Sequence, residues 1–450
     1  MRSLEEWLAH QERVHPQSID LGLERLERVL GRMGWRQPSI PVVTIAGTNG
    51  KGSVAAYCTA ILGAAGYGVG TFTSPHLRDY RERIRVRGAL VSEAALVDAF
   101  ERIEQARRGG PGADDAISLT FFEYNALAAF LVFEAADLDA WVLEIGMGGR
   151  LDAVNVVAPS VAVVVSVGLD HQEFLGSTLE AIAREKAGIF RSHIPAVLGS
   201  YDMPAALESC ARDLDAPLKR LGREYDFTRQ AHGWRYRGTR WDLADLPAPA
   251  LTGEIQFANA AAALAALEEI EPRLPISADA IARGLRSAHL TARFQLIDSR
   301  PRWILDVAHN PDAARVLARN LSSAPSGGKT LAVCGILADK DSASVASELA
   351  DSIDEWWMVS TEGARGTGGA ELAARMAPHI RSPIHIAADI AAGCAAALAS
   401  ARPADRIVVF GSFHTVAPAM DWLEARSLLP PEARPEYTVP PVPPRNKQPP

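Results

Sequence analysis

The stretch Pro41–Ser53, PVVTIAGTNGKGS, determines the architecture of this chain. Its first half, Pro41–Ala46, is a short apolar run of the kind that forms a buried strand, and a helical pattern follows from about Gly52 to Ala65. A strand that enters a helix through a glycine-rich turn predicts an α/β fold with mainly parallel sheets. Ligands of such sheets bind beyond the carboxyl ends of the strands, which is where this turn falls.

The glycine-rich turn Ala46–Ser53 has the composition of a phosphate-binding loop. Glycines allow backbone N–H groups to converge on phosphate oxygens, and the helix N-terminus adds partial positive charge. Lys51 supplies a cation for the β- and γ-phosphates, and Ser53 resembles the hydroxyl that reaches magnesium, although Gly52 stands between them. The alternative is a glycine-rich turn with a solvated lysine. We predict nucleotide binding by Thr48, Asn49, Gly50, Lys51, Gly52 and Ser53.

Further apolar runs extend the α/β pattern along the chain. The predicted strands are Trp141–Ile145, Val161–Val167, Trp303–Val307, Leu331–Ile336, Trp356–Val359 and Ile407–Phe410. We predict one domain over residues 1–288 and a smaller, Rossmann-like domain over 293–428, with the boundary between Ser287 and Arg293. Nine of the 29 prolines fall after residue 429, so a flexible tail is expected over 429–450, and a PxxP ligand is the weaker alternative.

Composition limits the function classes. The 450 residues are 48% hydrophobic and 22% charged, which excludes a disordered chain or a coiled coil. A net charge of −8 argues against bulk affinity for nucleic acid. The four cysteines are scattered, which disfavours a disulfide framework or a structural zinc site. With no apolar leader and no long apolar run, we expect a cytoplasmic protein that does not contact membranes.

Three separate segments offer ligands for a hard cation. Glu144 ends the run WVLEI, His171 follows VAVVVSV beside Asp170, and Ser74 lies in TSPHL after another β-prone run. Taken singly, Glu144 can be a helix cap or an ion-pair partner, His171 an ordinary hydrogen-bonded histidine, and Ser74 a turn residue. Next to a phosphate loop, the three together favour a magnesium site.

The loop GTNGKGS is more specific than a generic phosphate loop. It resembles the ATP-binding loop of the Mur ligase superfamily, especially folylpolyglutamate synthases and dihydrofolate synthases. The resemblance continues in order from about residue 4 to 425, through ADKD (338–341) and GSFHTVAP (411–418). It implies a P-loop, Mur-ligase-like ATP-binding domain followed by a glutamate-ligase domain. Such a protein is often monomeric.

The resemblance also implies roles for individual residues. Mg²⁺ would be held by Ser74, Glu144 and His171; catalytic roles would belong to Lys51, Lys186 and His171; further ATP contacts would come from Asn259, Arg293, Asp306 and His309. Lys186, in EKAGIFR, would be carbamylated by carbon dioxide, whereas the sequence alone reads it as a lysine on a helix surface. Asn259 alone would read as the N-cap of an alanine-rich helix.

The stretch Ile19–Arg25, IDLGLER, resembles the bacterial bifunctional enzymes, which make dihydrofolate and also extend its glutamate tail. The implied dihydropteroate pocket is formed by Asp20, Leu21, Gly22, Leu23, Thr120, Phe121, Phe122, Glu123, Leu151, Asp152 and Ala153. The two phenylalanines would stack on a flat pterin, and Asp152 would accept its N–H groups. The competing interpretation is that FFEYNALAAF simply begins a core helix.

Three local features qualify this interpretation. The run YRERIRVRG predicts a strand with Arg81, Arg83, Arg85 and Arg87 on one face, which is either a solvated edge or a contact for an anionic substrate. Thr291-Ala292 stands where the family usually has Pro-Gly. Val154 replaces the more usual threonine in GGRLDAVN.

We therefore predict an ATP-dependent ligase that adds L-glutamate to dihydropteroate and to reduced folates through an acyl phosphate. A monofunctional folylpolyglutamate synthase is the first alternative. A cell-wall Mur ligase would need a UDP-binding domain, and only about 40 residues precede the first strand. A non-catalytic ATP-binding scaffold would predict loss of the metal residues, all of which are present.

Overall fold

The computed structural model describes residues 2–17, 19–109, 116–324 and 326–433. The N-terminal part contains an eight-stranded sheet in the order β4-β3-β2-β5-β1-β6-β7-β8. Its strands are β1 (Val42–Ala46), β2 (Val69–Phe72), β3 (Ile84–Val86), β4 (Ala89–Leu90), β5 (Ala140–Glu144), β6 (Val161–Val164), β7 (Ala196–Leu198) and β8 (Leu218–Arg220). The neighbouring strands β2, β5, β1, β6, β7 and β8 pair in parallel, and β3 and β4 add an antiparallel edge.

Helices cover both faces of this sheet. They are α1 (Leu4–Val14), α2 (Glu24–Met33), α3 (Lys51–Ala64), α4 (Glu93–Arg108), α5 (Phe121–Ala135), α6 (Gln172–Leu175), α7 (Leu179–Ala187) and α8 (Ala205–Asp213). The central strand β1 is buried throughout because its alternate side chains enter two cores. Val42 and Ala46 pack on one face of the sheet, and Val43 and Ile45 pack on the other.

A small antiparallel sheet and two helices complete the N-terminal part. They are β9 (Asp226–Gln230), β10 (Gly233–Arg237), β11 (Asp242–Leu246), α9 (Ile255–Ile270) and α10 (Ala278–Ser287). Helix α10 packs closely on α3, because Gly284 has no side chain to separate it from the Ile61 backbone. This packing fixes the helix that begins at the glycine-rich loop.

The C-terminal part has a six-stranded sheet in the order β12-β13-β17-β14-β15-β16, in which only the β12–β13 pair is antiparallel among the described strands. Its strands are β12 (Gln295–Ile297), β13 (Arg302–Leu305), β14 (Thr330–Cys334), β15 (Glu355–Val359), β16 (Ile384–Ala387) and β17 (Arg406–Phe410). Its helices are α11 (Pro311–Ser323), α12 (Ser342–Leu349), α13 (Gly369–Met376), α14 (Ile390–Ser400) and α15 (Phe413–Glu424).

The predicted α/β class with mainly parallel sheets is confirmed, and every strand predicted from an apolar run is present with slightly different ends. The largest difference is in the predicted strand Val161–Val167, which ends at Val164. The backbone then turns toward the phosphate loop, where Ser166 O accepts a hydrogen bond from the Thr48 N–H at 2.9 Å.

The arginine-rich run was predicted wrongly. Tyr80–Arg83 forms a 3₁₀ turn capped by Asp79, and only Ile84–Val86 is a strand, so the four arginines do not share one face. Arg83 is buried and its Nε donates to His76 Nδ1 at 2.7 Å. A capping box at Asp79 explains the difference, because it favours a helical turn over an extended chain.

The prediction of a flexible tail over 429–450 is wrong for its first residues. Leu429 and Ala433 are buried in the C-terminal core, and Ala433 O accepts a hydrogen bond from Gln295 Nε2 at 2.8 Å. The rest of that prediction, residues 434–450, lies outside the described residues. Among those that are described, no helix has both the length and the apolar character needed to cross a membrane.

Candidate active site

The glycine-rich loop connects β1 to α3 at the carboxyl edge of the first sheet. Gly50 is the N-cap of α3 and has φ = 86°. A Cβ atom there would lie 2.8 Å from Val165 Cγ1 and 2.9 Å from Asn259 Oδ1, so the position requires glycine. Lys51 folds back over the loop, with Nζ donating to Gly47 O at 3.0 Å. The result is a lysine beside the N-terminus of a helix that has no side-chain cap, the arrangement that binds phosphate.

The loop is held rigidly by the segment that follows β6. The Asn49 N–H donates to Ser166 Oγ at 2.9 Å, and Ser166 Oγ donates back to Asn49 O at 2.9 Å. Thr48 Oγ1 bonds both the carbonyl and the N–H of Gly168. The predicted loop residues therefore lie together in a preorganised cradle.

Glu144 ends β5 directly beside this cradle. The register pairs Ile45 with Glu144, and Glu144 Oε2 would lie 3.8 Å from a Cβ atom on Gly52. The same oxygen accepts a hydrogen bond from the Ser74 N–H at 3.2 Å. Burial raises the pKa of Glu144, and the charges of Lys51 and Arg293 only partly oppose this effect. A buried carboxylate beside a phosphate cradle fits the ligand preference of a divalent cation.

His171 lies on the segment after β6, in a left-handed conformation with φ = 51°. Burial lowers its pKa to about 4, so the imidazole is neutral at pH 7 and can act as a metal ligand. Among the residues that the structure describes, no group of three or more His, Cys, Asp and Glu side chains is arranged to hold a metal. A cation here would therefore need the Ser74 hydroxyl and phosphate oxygens as well, as Mg²⁺ in nucleotide sites usually does.

Lys186 is buried in α7 and is 3% exposed, so its assignment to a helix surface is wrong. Burial and the charge of Lys51 lower its pKa to about 7, although the carboxylates of Asp170 and Asp152 act in the opposite direction. A large neutral fraction at physiological pH is what reaction with carbon dioxide requires.

Asp152 supports the loop after β5. Its two carboxylate oxygens accept hydrogen bonds from the Met147 N–H at 2.9 Å and the Val154 N–H at 3.0 Å. Burial raises its pKa to about 7. The Val154 side chain lies in the core.

Predicted nucleotide residues also come from α9 and the C-terminal part. Asn259 is the fifth residue of α9 and donates to Gln256 Oε1 at 3.1 Å, so its interpretation as an N-cap is wrong. Arg293 is half-buried, and its guanidinium lies over the ring of Phe413, 5.3 Å from the ring centroid. Asp306 follows β13 and accepts hydrogen bonds from the N–H groups of Phe294 and Ala308 at 2.8 and 2.7 Å.

The two parts meet at Asp170. Lys340 Nζ lies 2.6 Å from Asp170 Oδ1, and His309 Nε2 lies 3.5 Å from Asp170 Oδ2. Burial alone would raise the pKa of Asp170, but the hydrogen bond from His309 and the nearby charge of Lys340 hold it well below its usual range. This carboxylate is therefore ionised at all physiological pH values.

The predicted substrate residues lie on three segments, and two of them, Asp20–Leu23 and Thr120–Glu123, are joined through Arg25. Its NH1 donates to Asp20 Oδ2 at 2.6 Å, and its Nε donates to Glu123 Oε1 at 3.2 Å. Glu123 also accepts the N–H and hydroxyl of Thr120 in a capping box that begins α5. This arrangement stabilises the helix start, so Glu123 fixes the first turn of α5.

The aromatic pair at the start of α5 packs on the loop that carries Asp152. The Phe122 ring occupies the space that a side chain on Gly146 would need. Its centroid lies 5.9 Å from that of the Phe72 ring. Phe121 lies 6.1 Å from Tyr80. The remaining predicted positions Leu21, Gly22, Leu23 and Leu151 are partly exposed, and Ala153 is buried.

Three residues outside the predicted set take part in the site: Arg25, Asn310 and Lys340. Their partners lie 98, 261 and 170 positions away along the chain, so spacing alone gives no signal for these contacts. Only Asn310 carries a local signal, because Asn followed by Pro is typical of a helix start.

Family models match both parts of the chain. The Mur ligase middle domain matches residues 45–267, and the Mur ligase glutamate ligase domain matches residues 292–413. Together with the phosphate loop and the buried acidic and basic groups, these matches define an ATP-dependent ligase built from Mur ligase domains.

Individual relatives narrow this class. The dihydrofolate synthase/folylpolyglutamate synthase of Escherichia coli is 43% identical over 423 residues, covering 94% of this chain and 96% of the relative. The structure of E. coli FolC in complex with DHPP and ADP is 42% identical with a TM-score of 0.88, covering 95% and 99% of the two chains. A bifunctional folylpolyglutamate synthase/dihydrofolate synthase with Mn, AMPPNP and L-glutamate bound is 41% identical with a TM-score of 0.85, covering 94% and 98%. The chain belongs to the dihydrofolate synthase/folylpolyglutamate synthase family.

Proposed function

We propose that this chain joins L-glutamate to the free carboxylate of dihydropteroate and to the glutamate tail of reduced folates, with ATP as the energy source. The observation that carries the proposal is the grouping of Lys51, Glu144 and Lys186 at the carboxyl edge of the first sheet, facing Arg293 and Asp306. The family membership and the substrates named for its relatives support the same activity.

The proposed reaction has two steps. A carboxylate oxygen of the folate substrate attacks the γ-phosphorus, the bond to the β-phosphate oxygen breaks, and ADP leaves. The glutamate amine then attacks the acyl carbon, phosphate leaves with the carbon–oxygen bond electrons, and the amine loses a proton to solvent. Lys51 and the loop N–H groups stabilise charge on the transferred phosphoryl group.

We propose Mg²⁺ as the metal, held by Ser74, Glu144 and His171. Its chemistry when bound is neutralisation of charge on the phosphate oxygens. We further propose that Lys186 is carbamylated, because its buried amine with a pKa of about 7 is suited to react with carbon dioxide. The other ATP contacts are assigned to Thr48, Asn49, Gly50, Gly52, Ser53, Asn259, Arg293, Asp306 and His309.

We assign dihydropteroate to the pocket between the Asp20–Leu23 segment, the start of α5 and the Leu151–Ala153 loop. The hydrogen bonds from Arg25 to Asp20 and Glu123 support this assignment, because they join two of these segments. We also propose domains over 1–288 and 293–428, and a monomeric enzyme, because one chain supplies both faces of the site. A sedimentation measurement tests the monomer.

The test of this function is ATP- and glutamate-dependent phosphate release, with dihydropteroate and tetrahydrofolate supplied separately and the products weighed by mass spectrometry. We expect one added glutamate on each substrate. Product from tetrahydrofolate alone would indicate a monofunctional folylpolyglutamate synthase and a wrong pocket assignment. Bound ATP with no product from either substrate would contradict the proposed function and favour a scaffold.

A further inference from the structure

A single buried side chain of the C-terminal part contacts both the phosphate loop and the Asp170 segment. Asn310 is 3% exposed and forms a reciprocal amide pair with Asn49: each Nδ2 donates to the other Oδ1 at 3.1 Å. Asn310 Nδ2 also lies 3.3 Å from Asp170 Oδ2. These three residues come from three different connections after β1, β6 and β13.

The orientation of this amide is set by its own helix. Asn310 is the N-cap of α11, and its Oδ1 accepts the Ala313 N–H at 2.9 Å, with Pro311 in the first helical position. Because the cap requires the oxygen on that side, the NH₂ group must face Asp170 and the Asn49 oxygen. The assignment of oxygen and nitrogen therefore follows from the bonding.

Both partners of Asn310 are adjacent to residues with proposed chemical roles. Asn49 lies two positions before Lys51 and is fixed by Ser166, while Asp170 directly precedes His171 and is held by Lys340. A displacement of Asn310 would therefore change the positions of the phosphate loop and of the C-terminal residues Arg293 and Asp306 relative to each other. Such displacements strongly affect reactions that depend on positioning.

We propose that Asn310 is a positioning residue that holds the C-terminal part against the phosphate loop, so that nucleotide binding and exclusion of water depend on its amide. This inference rests on the proposed function, since it assigns the nucleotide to that loop. A purely structural role as the α11 cap is the competing explanation, and the two make different predictions.

The discriminating variant is Asn310→Ser. Serine caps helices about as well as asparagine, so α11 should remain intact while the amide contacts are lost. We expect a thermal melting temperature close to that of the unmodified chain, an affinity for AMPPNP weaker by about tenfold or more, and more ADP formed per glutamylated product. Asp389→Ala is the matched control. It removes the N-cap of α14, where the Asp389 carboxylate accepts the Ala392 N–H, and it leaves the contacts of Asn310 with Asn49 and Asp170 unchanged.

The isosteric variant Asn310→Asp provides a second test, because it keeps the cap but places a carboxylate against Asp170. We expect the same loss of AMPPNP affinity, and wild-type AMPPNP affinity in either folded variant would overturn the proposal. If Asn310→Ser leaves both the melting temperature and the AMPPNP affinity unchanged, while Asp389→Ala lowers the melting temperature, the role of Asn310 is that of a cap alone. Failure of the unmodified chain to bind AMPPNP would instead count against the proposed function.

Discussion

Two regions around the candidate site carry buried charge in opposite ways. The inner region lies at the carboxyl edge of the first sheet. Burial there raises the pKa values of Glu144 and Asp152 and lowers that of Lys186, so that the neutral form of each group is favoured. In the surrounding contacts, charges are directly paired: Asp170 with Lys340, and Arg25 with Asp20 and Glu123.

This difference distinguishes groups that can bind a ligand from groups that hold the chain in position. A buried charge without a full counter-charge is costly to a folded protein and is retained where a ligand completes it. A paired and hydrogen-bonded charge is already satisfied and instead fixes the position of the chain. The inner region is thus suited to receive a metal ion and phosphate, and the surrounding pairs hold the segments that carry it.

The largest effect on the rate should follow from removing Lys51, the cation of the phosphate loop. We expect Lys51→Met to lower the rate of glutamylation by about a thousandfold or more, because it removes the side-chain cation beside the transferred phosphoryl group. Phosphate release measured with each folate substrate tests this expectation. Lys219→Met, which removes an ion pair with Glu269 and a hydrogen bond to Thr239 away from the site, is the control. A loss of less than tenfold would mean that Lys51 does not contact the reacting phosphate.

A smaller and more selective effect is expected from a surrounding pair. Arg25→Met should raise the KM for dihydropteroate by about 10- to 100-fold with a smaller change in kcat, because charge-assisted hydrogen bonds of this kind contribute about 1.5–3 kcal/mol. The matched control is Arg220→Met. Arg220 likewise forms ion pairs with two carboxylates, Glu224 and Glu208, and its side chain is 24% exposed, against 23% for that of Arg25. An equal rise in KM for both variants would indicate general destabilisation and contradict the pocket assignment.

The same comparison separates what the sequence could and could not predict. The strand, glycine-rich turn and helix from Pro41 to Ala65 were predictable because each depends on neighbouring residues. The resemblance supplied the choice of Glu144, His171 and Lys186, but not their burial. The sequence alone placed Lys186 on a helix surface, because nothing in EKAGIFR indicates which face of α7 is covered.

The supporting pairs could not be predicted at all. Arg25 and Glu123 are 98 positions apart, and Asn49 and Asn310 are 261 positions apart, so each pair depends on the tertiary fold. Asn259 illustrates the same limit: its type suits an N-cap, yet α9 begins four residues earlier. At Asn259, packing overrode the local preference.

Lys186 offers a test of the inner region that does not depend on activity. Its pKa is lowered from 10.5 to about 7, so between these values the unfolded chain binds a proton that the folded chain does not. The lysine therefore makes folding stability rise with pH from about 7 to 10. We expect Lys186→Met to reduce this rise in the melting temperature, measured in buffers free of carbon dioxide.

Added bicarbonate sharpens the same measurement. If Lys186 is carbamylated, bicarbonate should raise the melting temperature of the unmodified chain by mass action and leave that of Lys186→Met unchanged. Lys219→Met should behave as the unmodified chain does in both experiments. An identical pH profile for the unmodified chain and Lys186→Met would show that the buried amine does not titrate in this range.

The smallest effect concerns the backbone that connects the N-terminal part to the C-terminal part, between α10 and β12. Ala292 stands where the family usually has glycine, and it is fully buried with φ = 58°. A Cβ atom in this conformation costs about 1–2 kcal/mol, whereas glycine costs about 0.5–1 kcal/mol more entropy on folding. We therefore expect Ala292→Gly to raise the free energy of unfolding by less than about 1 kcal/mol. Ala288→Gly, at φ = −58° on the same connection, should lower it by about 1 kcal/mol, because it gains no relief from strain. Denaturant unfolding of both variants tests this difference, and an equal loss in the two would show that the left-handed backbone at Ala292 carries no cost.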